Sequence, residues 1–170
     1  MDTMLLVLDS ASEPSTIPFD VRNTKKSRYF SRPSYQDAVV PAYIKSLNGE
    51  HAGLFNPNGR GYPDVAAQGL YFEYVWNGTL GVISGTSAAT PLMSSVIALV
   101  NDALISSGRS PLGFLNPWLY KKGYKGFTDI LSGGNGGCNT TGFPVTKGWD
   151  AVTGFGMFEY ETKIIKSRTN

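Results

Sequence analysis

With 170 residues, 41% of them apolar and 12% aromatic, the chain is long enough to bury one substantial core and carries no bias toward disorder. A net charge of +2, spread over scattered lysines and arginines, argues against nucleic acid as a partner; the tightest basic group, Lys25, Lys26 and Arg28, reads as a solvated loop. No apolar run approaches the roughly 20 residues needed to cross a bilayer, so no membrane span is expected. The single cysteine, Cys138, cannot form an internal disulfide and leaves the redox compartment open.

In chain order, Met4 to Leu8 is apolar, too short and too poorly flanked for a signal-peptide core, and reads as a buried strand. Ala11 to Pro33 is polar and broken by three prolines, hence loop. Val39, Tyr43 and Leu47 recur at helical spacing within a helix expected over Tyr35 to Leu47, with Pro41 disturbing its start. Asp64 to Ala67 and Leu70 to Trp76 read as strands, the second ending at an Asn77-Gly78 turn. A core helix is expected from Ser87 to about Ser106, with Leu92, Val96, Leu99, Val100 and Ala103 on its buried face. Gly108 ends it, and a short helix around Trp118 to Tyr120 precedes a glycine-rich loop, Ser132 to Gly142. There is no internal repeat and no linker that would divide residues 1–170 into two domains. Asn77-Gly78-Thr79 and Asn139-Thr140-Thr141 are glycosylation sequons, meaningful only on a secretory route.

The chemistry centres on Ser84-Gly85-Thr86-Ser87-Ala88-Ala89-Thr90-Pro91. A glycine-containing turn would present Ser87 at a helix N-terminus, where unpaired backbone N–H groups can stabilise an oxyanion. The alternative is that Thr86 or Ser87 merely caps the helix. A serine hydroxyl needs a base, and the only histidine, His51, stands in a loop without a surrounding motif and reads as a surface residue.

Gly85-Thr86-Ser87-Ala88-Ala89-Thr90-Pro91 is similar to the nucleophile motif shared by subtilisins and sedolisins, and Tyr62-Pro63-Asp64-Val65-Ala66-Ala67 resembles the segment that precedes it. Arg32-Pro33-Ser34-Tyr35-Gln36 and Gly148-Trp149-Asp150-Ala151-Val152-Thr153-Gly154-Phe155-Gly156 point to sedolisins, the serine-carboxyl peptidases, and among them to fungal tripeptidyl-peptidase-like members. The resemblance runs from about Phe30 to Gly156. It implies a subtilisin-like α/β fold, a mostly parallel sheet with flanking helices, of which residues 1–170 would form the C-terminal portion. It also implies a secreted, acid-working endopeptidase or tripeptidyl peptidase that attacks peptide or protein substrates through Ser87.

The same resemblance implies a Ca²⁺ site made by the side chains of Asp129 and Asp150 and the carbonyls of Ile130 and Gly148. Oxygen donors of this kind suit calcium. Thr146 would add a carbonyl at a position where the family usually has glycine. On the residues alone the plainer reading is the favoured one: Asp129 caps a turn and Asp150 sits in an ordinary glycine loop.

Sedolisins activate their serine with a glutamate and an aspartate four residues apart, and no such pair occurs here. The five glutamates, Glu13, Glu50, Glu73, Glu159 and Glu161, are followed four positions on by Ile17, Leu54, Asn77, Lys163 and Ile165. The family's Ser-Gly-Asp segment, which supplies an oxyanion aspartate, is also absent. The expectation is therefore a chain inactive in isolation, either part of an active peptidase or a non-catalytic, calcium-binding remnant, with missing strands leaving a sheet edge and apolar faces uncovered.

Overall fold

A computed structural model describes residues 7–9, 30–137 and 139–158. Of the strand expected over Met4 to Leu8, the last two residues lie in β1 (Val7–Asp9); residues 4–6, and most of the loop expected between Ala11 and Pro33, fall outside the described residues.

A four-stranded sheet organises the chain, in the order β1, β2 (Val65–Ala67), β6 (Met157–Phe158), β5 (Phe127–Thr128). β1 and β6 each run parallel to β2, and β5 pairs antiparallel with β6, so the sheet is mostly parallel as expected. All three residues of β2 are fully buried, which is why the strand reads as an unbroken apolar run and not as an alternating one. The crossovers between parallel strands carry helices: α1 (Val39–Ser46) lies between β1 and β2, and α2 (Thr86–Ser106) between β2 and β6. α1 is shorter than expected, because Ser34–Gln36 forms a separate 3-10 turn before it.

α2 matches its expected span but not its expected face. Ala89, Met93, Val96, Val100 and Leu104 are buried, while Leu99 is 54% exposed and Ala103 also faces outward. The sequence offers two overlapping apolar stripes, and packing selects the one that meets both core clusters. The helix ends in a Schellman arrangement: Arg109 N–H donates to the Leu104 carbonyl and Gly108 N–H to that of Ile105, with Gly108 at φ +73°. Within its 21 residues α2 holds an 18-residue window of mean hydropathy 1.5, long and apolar enough by length and composition alone to cross a membrane, and here it packs Met93, Val96, Val100 and Leu104 into the core.

The larger core cluster joins Val40 and Tyr43 of α1, its C-cap Leu47, Val65 and Ala67 of β2, Ala89 and Met93 of α2, Leu119 and Tyr120 of α3 (Asn116–Lys121), and Phe143, Trp149, Ala151 and Phe155. The smaller one gathers Val96, Val100 and Leu104 against Leu112. Trp149 anchors the C-terminal segment: its Nε1–H donates to the Pro63 carbonyl at 3.0 Å and its ring meets Tyr43 edge-on.

Between β2 and α2 a two-stranded hairpin stands apart, β3 (Phe72–Trp76) against β4 (Thr79–Ile83). Asn77 and Gly78 take φ of +49° and +75°, the double left-handed geometry that a tight two-residue hairpin turn demands. The register runs from Trp76 opposite Thr79 to Phe72 opposite Ile83. Tyr74 lies over Gly81, where an added Cβ would stand 2.6 Å from its ring. Every hairpin residue but Phe72 and Gly81 is exposed.

Candidate active site

The turn before α2 is closed at its base. Gly85 N–H donates to the Gly69 carbonyl at 2.6 Å, and Tyr71 N–H to Ser84 Oγ at 3.1 Å. Gly85 occupies φ +145°, ψ +162°, a region essentially restricted to glycine, and it is the residue that caps the helix. The capping alternative for Thr86 and Ser87 is thereby set aside: the cap carries no side chain, and both residues lie within the first turn. Ser87 is exposed. Ala88 N–H is satisfied by the Gly85 carbonyl, but among the described residues no carbonyl accepts from the amides of Thr86 or Ser87. An exposed serine hydroxyl, two N–H donors without a carbonyl partner among the described residues and the positive end of a long helix therefore coincide. Pro91 has no N–H to offer the carbonyl four residues back, which is that of Ser87.

His51 is engaged elsewhere. Its Nε2–H donates to the Gly142 carbonyl at 2.7 Å, its ring packs edge-on to Phe143, and Glu50 lies 3.5 Å away. Its side chain is only 11% exposed, so it is a packed residue of the glycine-rich loop and not the surface histidine expected from its surroundings.

Directly before β2 lies a polar network that the sequence did not reveal. Asp64 is fully buried, with Oδ2 accepting from Arg60 Nη2 at 2.7 Å and Oδ1 from the Tyr120 hydroxyl at 2.8 Å. That hydroxyl accepts from Gln36 Nε2 at 2.7 Å, and Gln36 exchanges a further pair of hydrogen bonds with the backbone of Gly61. Burial, and then the Asp64 charge, push the Tyr120 hydroxyl well above the usual phenol range. Burial alone would pull the Arg60 guanidinium down, but the carboxylate beside it prevails and the group is held more firmly charged. The one signal in the sequence was an aspartate standing immediately before a fully apolar strand.

The two predicted metal-ligating carboxylates grip the same loop. Asp129 Oδ2 accepts from Gly148 N–H at 2.7 Å, and Asp150 Oδ2 from Thr146 N–H at 3.1 Å. Asp150 Oδ1 is saturated by Val152 N–H, Thr153 N–H and the Thr153 hydroxyl, leaving spare acceptor capacity only on Oδ2. Asp150 is fully buried, and that burial raises its pKa above the ordinary aspartate value despite these donors. Asp129 Oδ1 is buried without a partner, the kind of orphaned acceptor a cation would satisfy. Among the described residues there is no group of three or more His, Cys, Asp or Glu side chains, so a cation here would depend on two carboxylates and on backbone carbonyls such as those of Ile130, Gly148 and Thr146.

No family model matches the chain. Among curated proteins it is 46% identical over 154 residues to tripeptidyl-peptidase SED2 of Arthroderma otae, a match covering 80% of this chain and 26% of that protein. It is 41% identical over 150 residues to tripeptidyl-peptidase SED3 of the same fungus, covering 79% and 25% respectively. Among solved structures it is similar to Pseudomonas sedolisin, a serine-carboxyl proteinase complexed with pseudo-iodotyrostatin, with a TM-score of 0.58 and 26% identity over 86% of this chain and 36% of that one. The chain spans about a quarter of the length of the curated relatives it matches. Similarity of this level, carried on a shared α/β fold, shows that the chain belongs to the sedolisin family.

Proposed function

We propose that residues 1–170 correspond to the C-terminal portion of a secreted serine-carboxyl peptidase, a tripeptidyl peptidase or acid endopeptidase, and supply its nucleophile, Ser87. The observation that carries this reading is the exposed serine on the first turn of α2 beside two unpartnered amides. Ser87 Oγ attacks the scissile carbonyl carbon of a peptide, its proton passes to a carboxylate base, and the oxyanion faces the Thr86 and Ser87 N–H groups. The leaving amine then departs protonated, and water releases the acyl group. No Glu-x-x-x-Asp pair in this sequence can act as that base, so the chain by itself is inactive and turnover requires a polypeptide that contributes one.

A graft tests this directly. Residues 30–158 replace the matching segment of Arthroderma otae SED2, and acid-pH cleavage of tripeptide-linked reporters is followed. Activity that vanishes in Ser87→Ala is expected; a folded graft whose activity survives that substitution would overturn the assignment.

The orphaned Asp129 Oδ1 favours a second, compatible role as a calcium site, with Asp129 and Asp150 as carboxylate ligands and Ile130, Gly148 and Thr146 as carbonyl ligands. Calcium there would supply a structural charge that ties down a loop too poor in apolar residues to pack alone. In thermal melts, Asp129→Ala should lose stability mainly with calcium present. An equal loss with and without the ion would remove the site.

A further inference from the structure

The hairpin places the sequon Asn77-Gly78-Thr79 at its tip, with Asn77 and Gly78 as the two turn residues. Trp76 stands directly opposite Thr79, so their side chains share one face of the ribbon. That face also carries Tyr74, which is occupied in covering Gly81. Trp76 is 77% exposed at the outermost cross-strand pair, an uncommon place for an indole. We propose that Asn77 is an N-linked glycan acceptor and that Trp76 is the platform on which its first sugar packs. The proposal rests on the secretory part of the functional reading above.

A pyranose presents a face of C–H bonds that lies well on an aromatic ring, while its hydroxyls stay in water. Asn77 is exposed at the turn and adjoins Trp76 in the chain, and Thr79, paired with Trp76, supplies the sequon hydroxyl on the indole's face of the ribbon. In the modification, Asn77 Nδ2 bonds to the anomeric carbon of a lipid-diphosphate-linked oligosaccharide. The carbon–oxygen bond to the diphosphate breaks, the lipid diphosphate leaves with the electron pair, and the amide proton passes to a base of the transferase. The second sequon contrasts with the first. Thr141 Oγ donates to Glu50 at 3.1 Å and Thr140 Oγ to the Gly137 carbonyl, so the hydroxyl of that sequon is already engaged by a residue far along the chain.

The full chain would be expressed behind a yeast secretory leader, so that it meets the transferase whatever its natural address, with a known sequon in a C-terminal tag as a positive control. Peptide N-glycosidase treatment in heavy-oxygen water converts each occupied asparagine to labelled aspartate, read by mass spectrometry. The expected result is label at Asn77, lost in Thr79→Ala and kept in Asn139→Gln. An unlabelled Asn77 beside a labelled control overturns the acceptor site. Removing the glycan should increase hydrophobic-dye binding by the parent chain but not by Trp76→Ala; an equal increase in both overturns the platform. Natural protein found only inside cells would count against the secretory reading alone, leaving the leader-driven measurement to decide Asn77.

Discussion

Replacing Tyr120 with phenylalanine isolates the buried network behind β2, because the ring keeps its packing on Phe155 and Tyr35 while only the hydroxyl is removed. Two hydrogen bonds disappear, one given to Asp64 Oδ1 and one taken from Gln36 Nε2. Gln36 retains the Gly61 carbonyl, but Asp64 Oδ1 is left without a donor in a fully buried position. Losing a hydrogen bond to a charged, buried acceptor costs about 2 kcal/mol. With a urea m-value of about 2 kcal/mol per molar for a chain of this size, the unfolding midpoint should fall by about 1 M. Pulse proteolysis at low protein concentration measures that midpoint. In an Asp64→Ala background the same substitution should cost much less, since the partner it deprives is already gone. A midpoint shift below about 0.3 M, or full additivity of the two substitutions, would refute this account of the network.

Asp150 gives a pH-dependent signature. Its folded pKa is raised by burial, so its contribution to stability is full below the ordinary aspartate value of 3.8 and is lost as pH rises through the folded value. In calcium-free melts the margin of the parent over Asp150→Asn should therefore widen from neutral pH toward acid, and a margin that narrows would contradict it. Two glycines should differ sharply: at Gly154, φ +62°, an added Cβ would lie 2.3 Å from the Asp64 carbonyl oxygen, so Gly154→Ala should leave no folded protein. Gly148, φ +90°, has nothing within 4 Å, and Gly148→Ala should cost only about 1 kcal/mol of backbone strain, with equal losses at the two positions counting against the packing. Finally, Val75→Thr with Leu80→Lys, an exposed cross-strand pair, should reduce hydrophobic-dye binding while leaving the urea midpoint unchanged; a lowered midpoint would mean that the hairpin carries core stability.

What the sequence disclosed was local. The Asn77-Gly78 turn, the span of α2 and its glycine stop each depend on backbone preferences of a few neighbouring residues, and they appear where expected. The placement of Ser87 was legible for the same reason, as a serine in a small-residue turn at the start of an apolar helix. Tertiary choice was not legible. Whether Leu99 or Leu104 faces the core depends on what α2 meets, and the pairing of Asp64 with Tyr120 joins positions 56 residues apart. The exposure expected of His51 failed likewise, since its ring packs on Phe143 far along the chain. The carboxylate loop lies between these cases. Asp129 and Asp150 were identified through resemblance, and their convergence on residues 146–148 is seen only when the chain is folded.

The closed base of the hairpin has a consequence for how such a chain can change. Because Gly85 is pinned to Gly69 and Ser84 to Tyr71, the residues between them form an excursion whose ends are fixed independently of its length. Closing a longer loop costs only about 0.6 kcal/mol for each doubling, so material inserted at the tip leaves Ser87 where it is. The hairpin is thus a module clamped at its base, the place where the chain can lengthen and where a foreign peptide can be spliced in without moving Ser87.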